Sequence, residues 1–168
     1  MSIWVRALCT TSVTDITPEE LRAGIAQRLP ALASLYGEDD EEATSARLRV
    51  EGDAPLGVWK IAYRGDETSI RLERWSEPAE LKEEVTELLD GLADCDEDGV
   101  DEVRELLGKV VENVALELKL SDCEHIGWPV AIAAAACLAE RGKGIVQADG
   151  EGWMLPRGSD VEHVLDGD

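Results

Sequence analysis

Cys123 and His125 lie two positions apart, close enough in the chain to act together in covalent chemistry. A cysteine thiolate with a histidine as its base is a nucleophile. The same two residue types, together with Cys137, could also bind zinc, but a structural zinc site takes four ligands and only three stand in this region. A loop histidine beside a core cysteine is the alternative. The pair therefore supports a small enzyme as one hypothesis.

A second candidate is the acidic stretch 94–105, which carries oxygen ligands at regular spacing. With Gly99 at position six it resembles an EF-hand loop, and this resemblance implies a calcium ion held by its carboxylates. Position eight is Asp101, where that loop has an aliphatic residue, and the chain has no second such loop. We favour the simpler interpretation, an acidic turn between two helices, and expect no cofactor, with calcium as the alternative. The carboxylates at positions one, three, five and twelve are Asp94, Asp96, Asp98 and Glu105.

The net charge limits the classes of partner. Among 168 residues there are 37 acids and 16 bases, for a formal charge of −21. Such a surface repels phosphate and anionic lipid, which argues against direct nucleic-acid or membrane binding and favours a basic protein. The amino terminus lacks a signal-peptide pattern, and the four cysteines lack paired spacing. We therefore expect reduced thiols in the cytoplasm.

Most of the excess acidity is confined to two segments. Residues 77–105 hold thirteen acids and two bases, and residues 38–42 hold five acids. Adjacent carboxylates repel one another, so we expect 38–42 to be a solvated loop. A docking surface for a basic protein and a merely solvated face both fit this pattern. The residues that we expect to bind a partner are Glu38, Asp39, Asp40, Glu41, Glu42, Glu80, Glu83, Glu84 and Glu87.

Hydrophobic spacing predicts the elements that position these residues. Thr17-Pro18-Glu19-Glu20 is typical of a helix start, with Thr17 as the cap. Residues 46–51, 57–64 and 69–75 alternate apolar and charged side chains, as the strands of an antiparallel meander do. The remaining strands are predicted at 3–9, 112–120, 144–148 and 152–155, and the remaining helices at 76–93, 101–111 and 129–141.

The resulting order, β-α-β-β-β-α-α-β-α-β-β, predicts the α+β class. We expect two layers, a mostly antiparallel sheet with helices packed on one face. Residues 1–155 would form a single domain and 156–168 a polar carboxyl-terminal tail. Because the chain has no phenylalanine, its five tryptophans are expected to fill core volume, with Trp128 as a loop exception.

The carboxyl-terminal third carries one further pattern. An Ala-rich helix ends in Leu138-Ala139 and continues to Gly144, a short strand precedes Asp149, and Trp153 follows. Together with Gly127-Trp128-Pro129-Val130, this stretch (127–153) resembles the end of several bacterial immunity-protein families. Those families pair small acidic α+β proteins with secreted toxins and share no catalytic residues.

The resemblance and the charge together favour a non-catalytic binding protein. It would neutralise a basic bacterial toxin, such as a nuclease, by docking an acidic surface on it. Two other classes stay open. One is the small enzyme that uses Cys123 and His125, and the other is a structural or assembly protein or a DNA mimic.

Overall fold

An eight-stranded antiparallel sheet organises the computed structural model, which describes residues 1–65, 69–123 and 125–167. The strands are β1 (Ser2–Cys9), β2 (Arg49–Glu51), β3 (Val58–Ala62), β4 (Ser69–Trp75), β5 (Glu112–Lys119), β6 (Ile145–Ala148), β7 (Gly152–Arg157) and β8 (Asp160–Asp166). The helices are α1 (Pro18–Leu35), α2 (Glu41–Arg47), α3 (Pro78–Gly91), α4 (Val100–Leu107) and α5 (Gly127–Arg141). A 3-10 turn covers Leu120–Asp122.

The first strand lies inside the sheet, whose order is β2-β3-β4-β5-β1-β6-β7-β8. It pairs with β5 along its whole length, from Ser2 opposite Lys119 to Cys9 opposite Glu112. Its other edge pairs with β6. Every neighbouring pair is antiparallel. The predicted α+β class, with helices packed against an antiparallel sheet, is confirmed.

The helices α1 and α5 cover one face of the sheet. Leu21, Ile25 and Leu29 of α1 join the same buried cluster as Val5 and Ala7 of β1. Small side chains on α5 let the two helices approach closely. A Cβ added at Gly24 of α1 would collide with the thiol of Cys137 on α5. Among the described residues, no helix is both long and apolar enough to cross a membrane.

The opposite face is covered by α3 and α4, so the expectation of helices on one face is corrected to three layers. Leu8 and Ile145 pack in a second buried cluster with Val103 of α4 and Trp153 of β7. The physical reason is that Leu8 of β1 and Ile145 of β6 lie on the face opposite to Val5, Ala7 and Val146. Leu8 and Ile145 therefore need a cover that α1 and α5 cannot provide.

Residues 156–168, expected to be a polar tail, instead complete β7 and form the edge strand β8 within the described residues. The two strands pair antiparallel, with Gly152 opposite Asp166 at one end and Arg157 opposite Asp160 at the other. Gly158 has φ of +62° in the connecting turn, a conformation that glycine adopts without strain. Leu165 is buried against the second cluster. Val161 and Val164 also pack against the buried clusters, so apolar contacts and backbone pairing hold a segment that was expected to be a polar tail.

The acidic segment 38–42 is also more ordered than expected, because α2 begins at Glu41. This helix extends to Arg47, so the strand predicted over 46–51 is reduced to Arg49–Glu51. Thr44 is buried where α2 packs on α1. A single buried contact and two acids in the first turn favour a short helix over a solvated loop.

Candidate functional site

A cleft of about 400 Å³ lies between α3 and the face of the sheet that this helix covers. Its helical wall carries four glutamates at positions i, i+3, i+4 and i+7, a spacing that places all four on one side of a helix. Leu81 anchors the same helix and is buried. The residues that line the cleft are Trp4, Arg6, Trp75, Glu80, Leu81, Glu83, Glu84, Glu87, Asn113 and Ala115.

Two tryptophans give the cleft an aromatic surface on the sheet side. Trp4 is partly buried on β1, and Trp75 ends β4 with 39% of its surface exposed. Trp75 lies directly opposite Asn113 of the neighbouring strand. An exposed indole beside carboxylates is unusual for a side chain whose large apolar surface favours burial. It gives the cleft both aromatic area and negative charge.

Arg6 joins the helix to the sheet at one side of the cleft. Its Nε donates to Oε1 of Glu84 at 2.7 Å, and its Nη1 donates to Gln147 at 2.7 Å and to Asp149 at 3.0 Å. The other oxygen of Asp149 accepts from the backbone N–H of Trp4 at 3.0 Å. Arg6 therefore neutralises the charge of Glu84 and fixes its position.

The other three glutamates of the row lie on the exposed surface of α3. In the part of the chain that the structure describes, Glu80, Glu83 and Glu87 form no ion pair, and all three are exposed. Arg6 is the cationic side chain that lines the cleft. With four glutamates against one arginine, the cleft attracts cations.

Asn113 forms part of the floor of the cleft and is 5% exposed. Its Oδ1 accepts no hydrogen bond from residues 1–65, 69–123 or 125–167. Buried amide oxygens without a donor are rare, because leaving one unpaired costs roughly 1–3 kcal/mol. Asn113 therefore contributes a buried acceptor without a donor to the lining of an acidic and aromatic cleft.

The structure does not bring the two acidic segments together. Glu80, Glu83, Glu84 and Glu87 line the α3 cleft. The segment 38–42 instead follows α1, where the N–H of Glu38 donates to the carbonyl of Ala33 at 2.8 Å. Since α1 and α3 pack on opposite faces of the sheet, one partner surface cannot cover both segments without wrapping around the sheet. The site is therefore built on α3.

The stretch 94–105 covers the end of the α3–α4 connection and the first six residues of α4, and its carboxylates do not gather around one point. Glu105 is exposed and accepts from Lys109 at 2.9 Å, a hydrogen bond and charge that lower the pKa of its carboxyl. The Arg104 guanidinium occupies the connection, where it donates to the carbonyls of Leu92 at 2.7 Å and Cys95 at 3.1 Å. Within the described residues, no group of three or more His, Cys, Asp or Glu side chains is placed to hold a metal ion.

Cys123 follows the 3-10 turn after β5, and His125 lies two residues before the start of α5. The Cys123 thiol donates to the carbonyl of Lys119 at 3.5 Å. The carbonyl of His125 accepts from the backbone of Trp128 at 3.2 Å. Burial raises the pKa of the Cys137 thiol, which packs inside the helix layer. Glu124 lies outside the described residues.

Six of the ten residues that line the cleft were not predicted as site residues: Trp4, Arg6, Trp75, Leu81, Asn113 and Ala115. For Trp75 the sequence does contain a signal, because Ile70 and Leu72 take the inward positions of β4 and leave position 75 on the outward side. Trp128 was predicted to lie in a loop, outside the core, but it is buried in the first turn of α5.

Comparison of the chain with protein-family models, with curated proteins and with solved structures found no match. The cleft is therefore the feature of the described structure from which a function can be inferred. Its observed parts are a row of glutamates, two indoles and an unpaired buried amide oxygen.

Proposed function

We propose that the chain is a non-catalytic acidic binding protein that docks on a basic protein through α3. The observation that carries this proposal is the row of glutamates on the cleft side of the helix, of which Arg6 neutralises one. Uncompensated like charges on one helix face cost stability, because they repel each other. A basic partner removes that repulsion and gains both attraction and faster association.

We further propose that the partner is a bacterial toxin and that the chain acts in the cytoplasm as its immunity protein. The net charge of −21 supports a basic partner. The resemblance of 127–153 to immunity proteins supports the toxin. Asp149 of that stretch also contacts Arg6 beside the cleft, which links the resembling segment to the proposed docking site.

Co-expression with the basic product of a gene adjacent to its own tests this function. We expect that product alone to arrest growth, the chain to restore it, and calorimetry on the two purified proteins to detect a one-to-one complex. Cys123→Ser and His125→Ala variants should restore growth equally well, because docking needs neither thiol nor imidazole. Failure of the wild-type chain both to restore growth and to bind would overturn the proposal, and loss of rescue in Cys123→Ser would favour the enzyme.

A further inference from the structure

The cleft beneath α3 contains a buried acceptor that the protein itself leaves unpaired. Asn113 is 95% buried, since 5% of its surface is exposed, and its Oδ1 has no donor within the described part of the chain. A folded protein keeps such an atom at a cost in stability. A ligand that supplies an N–H at this point recovers that cost on binding.

We propose that the cleft binds one arginine side chain of the basic partner, an inference that rests on the proposed function. A guanidinium is planar and always charged, and it carries five N–H donors. It can stack on the indoles of Trp4 and Trp75 while it donates to carboxylates of the helix. A donor directed at the floor then pairs with Asn113.

The size and charge of the cleft favour this ligand over its competitors. A volume of about 400 Å³ is near the lower end of the range of ligand sites, roughly 300–1,000 Å³, and suits one long side chain. An acidic side chain would face four glutamates. A lysine ammonium carries its three donors on one nitrogen and has no flat surface that can stack on an indole. It would therefore form fewer contacts with the two tryptophans and with the Asn113 amide.

A titration of the full-length protein with short peptides tests the inference without the partner. The probe is acetyl-Gly-Arg-Gly-amide, and its matched forms carry lysine or the uncharged citrulline in place of arginine. The readout is the indole N–H resonance of each tryptophan in the ¹⁵N-labelled chain. We expect saturable shifts at Trp4 and Trp75 with the arginine peptide, about fivefold weaker binding of the lysine peptide, and no saturable shift with citrulline.

Variants separate recognition from folding. Asn113→Ala should weaken the arginine peptide about fivefold, since one hydrogen bond to a charged donor is lost. Glu83→Gln should weaken it as well, whereas Glu97→Gln, an exposed acid outside the cleft, should leave it unchanged. Thermal unfolding confirms that each variant is folded, and Glu83→Gln is informative even where Asn113→Ala is not folded.

Unmoved indole resonances, or equal shifts with arginine and citrulline peptides, would overturn the inference. Because no partner is present, that result is distinct from failure of the rescue experiment. If the chain restores growth but does not bind the arginine peptide, the proposed function stands and the arginine site is refuted. If the chain binds the peptide but neither restores growth nor forms the complex, the arginine site stands and the toxin partner is refuted.

Discussion

Replacing Glu112 with glutamine is expected to lower the free energy of unfolding by about 3 kcal/mol at neutral pH, because it breaks a buried ion pair and leaves Arg74 unmatched. Glu112 is 3% exposed. Its carboxylate accepts from the Ser12 hydroxyl at 2.6 Å, from the backbone N–H of Val13 at 2.9 Å and from Arg74 at 2.8 Å. It thus joins the β1–α1 connection to two central strands.

This destabilisation depends on pH with a defined sign. Burial raises the pKa of Glu112, but the hydrogen bonds from Arg74, Ser12 and Val13 outweigh it and hold the pKa below its ordinary value. A carboxylate with a depressed pKa in the folded state stabilises the fold above its unfolded pKa, about 4.3 for glutamate. That contribution is lost as the pH falls through the lower folded pKa. The difference between wild type and Glu112→Gln should therefore be largest near pH 7 and shrink below about pH 4.

Urea denaturation at several pH values provides the measurement. Glu97→Gln is the matched control, since it makes the same change at an exposed position, and surface substitutions of this kind alter the unfolding free energy by less than about 0.5 kcal/mol. A Glu112→Gln effect no larger than that of the control, or one that is constant from pH 7 to pH 3, would contradict the role assigned to this carboxylate.

Reversing the three unpaired glutamates of the cleft, with Glu80→Lys, Glu83→Lys and Glu87→Lys combined, is expected to slow association with the proposed basic partner at least about tenfold at low salt. The reason is that these carboxylates attract the partner before contact. The effect should shrink as ionic strength rises, because salt screens charges beyond roughly 10 Å at 0.1 M. Glu84 is kept, since its loss would also release Arg6 from the helix.

A second triple variant controls for net charge. Asp53→Lys, Asp96→Lys and Glu97→Lys change the total charge by the same amount at exposed positions outside the cleft. Stopped-flow association rates should fall much less in this control than in the cleft variant. Equal rates for the two variants at low salt would show that net charge, rather than the α3 surface, sets association.

The local patterns of the sequence were sufficient for several elements. The Thr17 hydroxyl accepts from the N–H of Glu20 at 3.1 Å, as its predicted capping role requires. Strict alternation identified β5, and the apolar run after Gly127 identified α5. These features depend on contacts within a few residues, which spacing along the chain reports directly.

Features that depend on distant partners were missed. The second helical layer exists because Leu8 and Ile145 point away from α5, and the alternation in β1 is too imperfect to show it. The cleft joins Trp75 to Asn113, which come together only through strand pairing. The sequence placed the four glutamates within the predicted helix 76–93, and the structure places them on the cleft side of α3. The distance between these glutamates and residues 38–42 depends on the sheet topology, which cannot be deduced from the number of charges in each segment.

Hydrogen exchange of the chain, free and bound to the proposed basic partner, tests the central claim most directly. We predict that binding slows exchange along Pro78–Gly91 and at the strand residues Trp4 and Trp75, and leaves residues 38–42 unchanged. Protection confined to 38–42 and the α1–α5 layer, with α3 exchanging as in the free protein, would contradict the account.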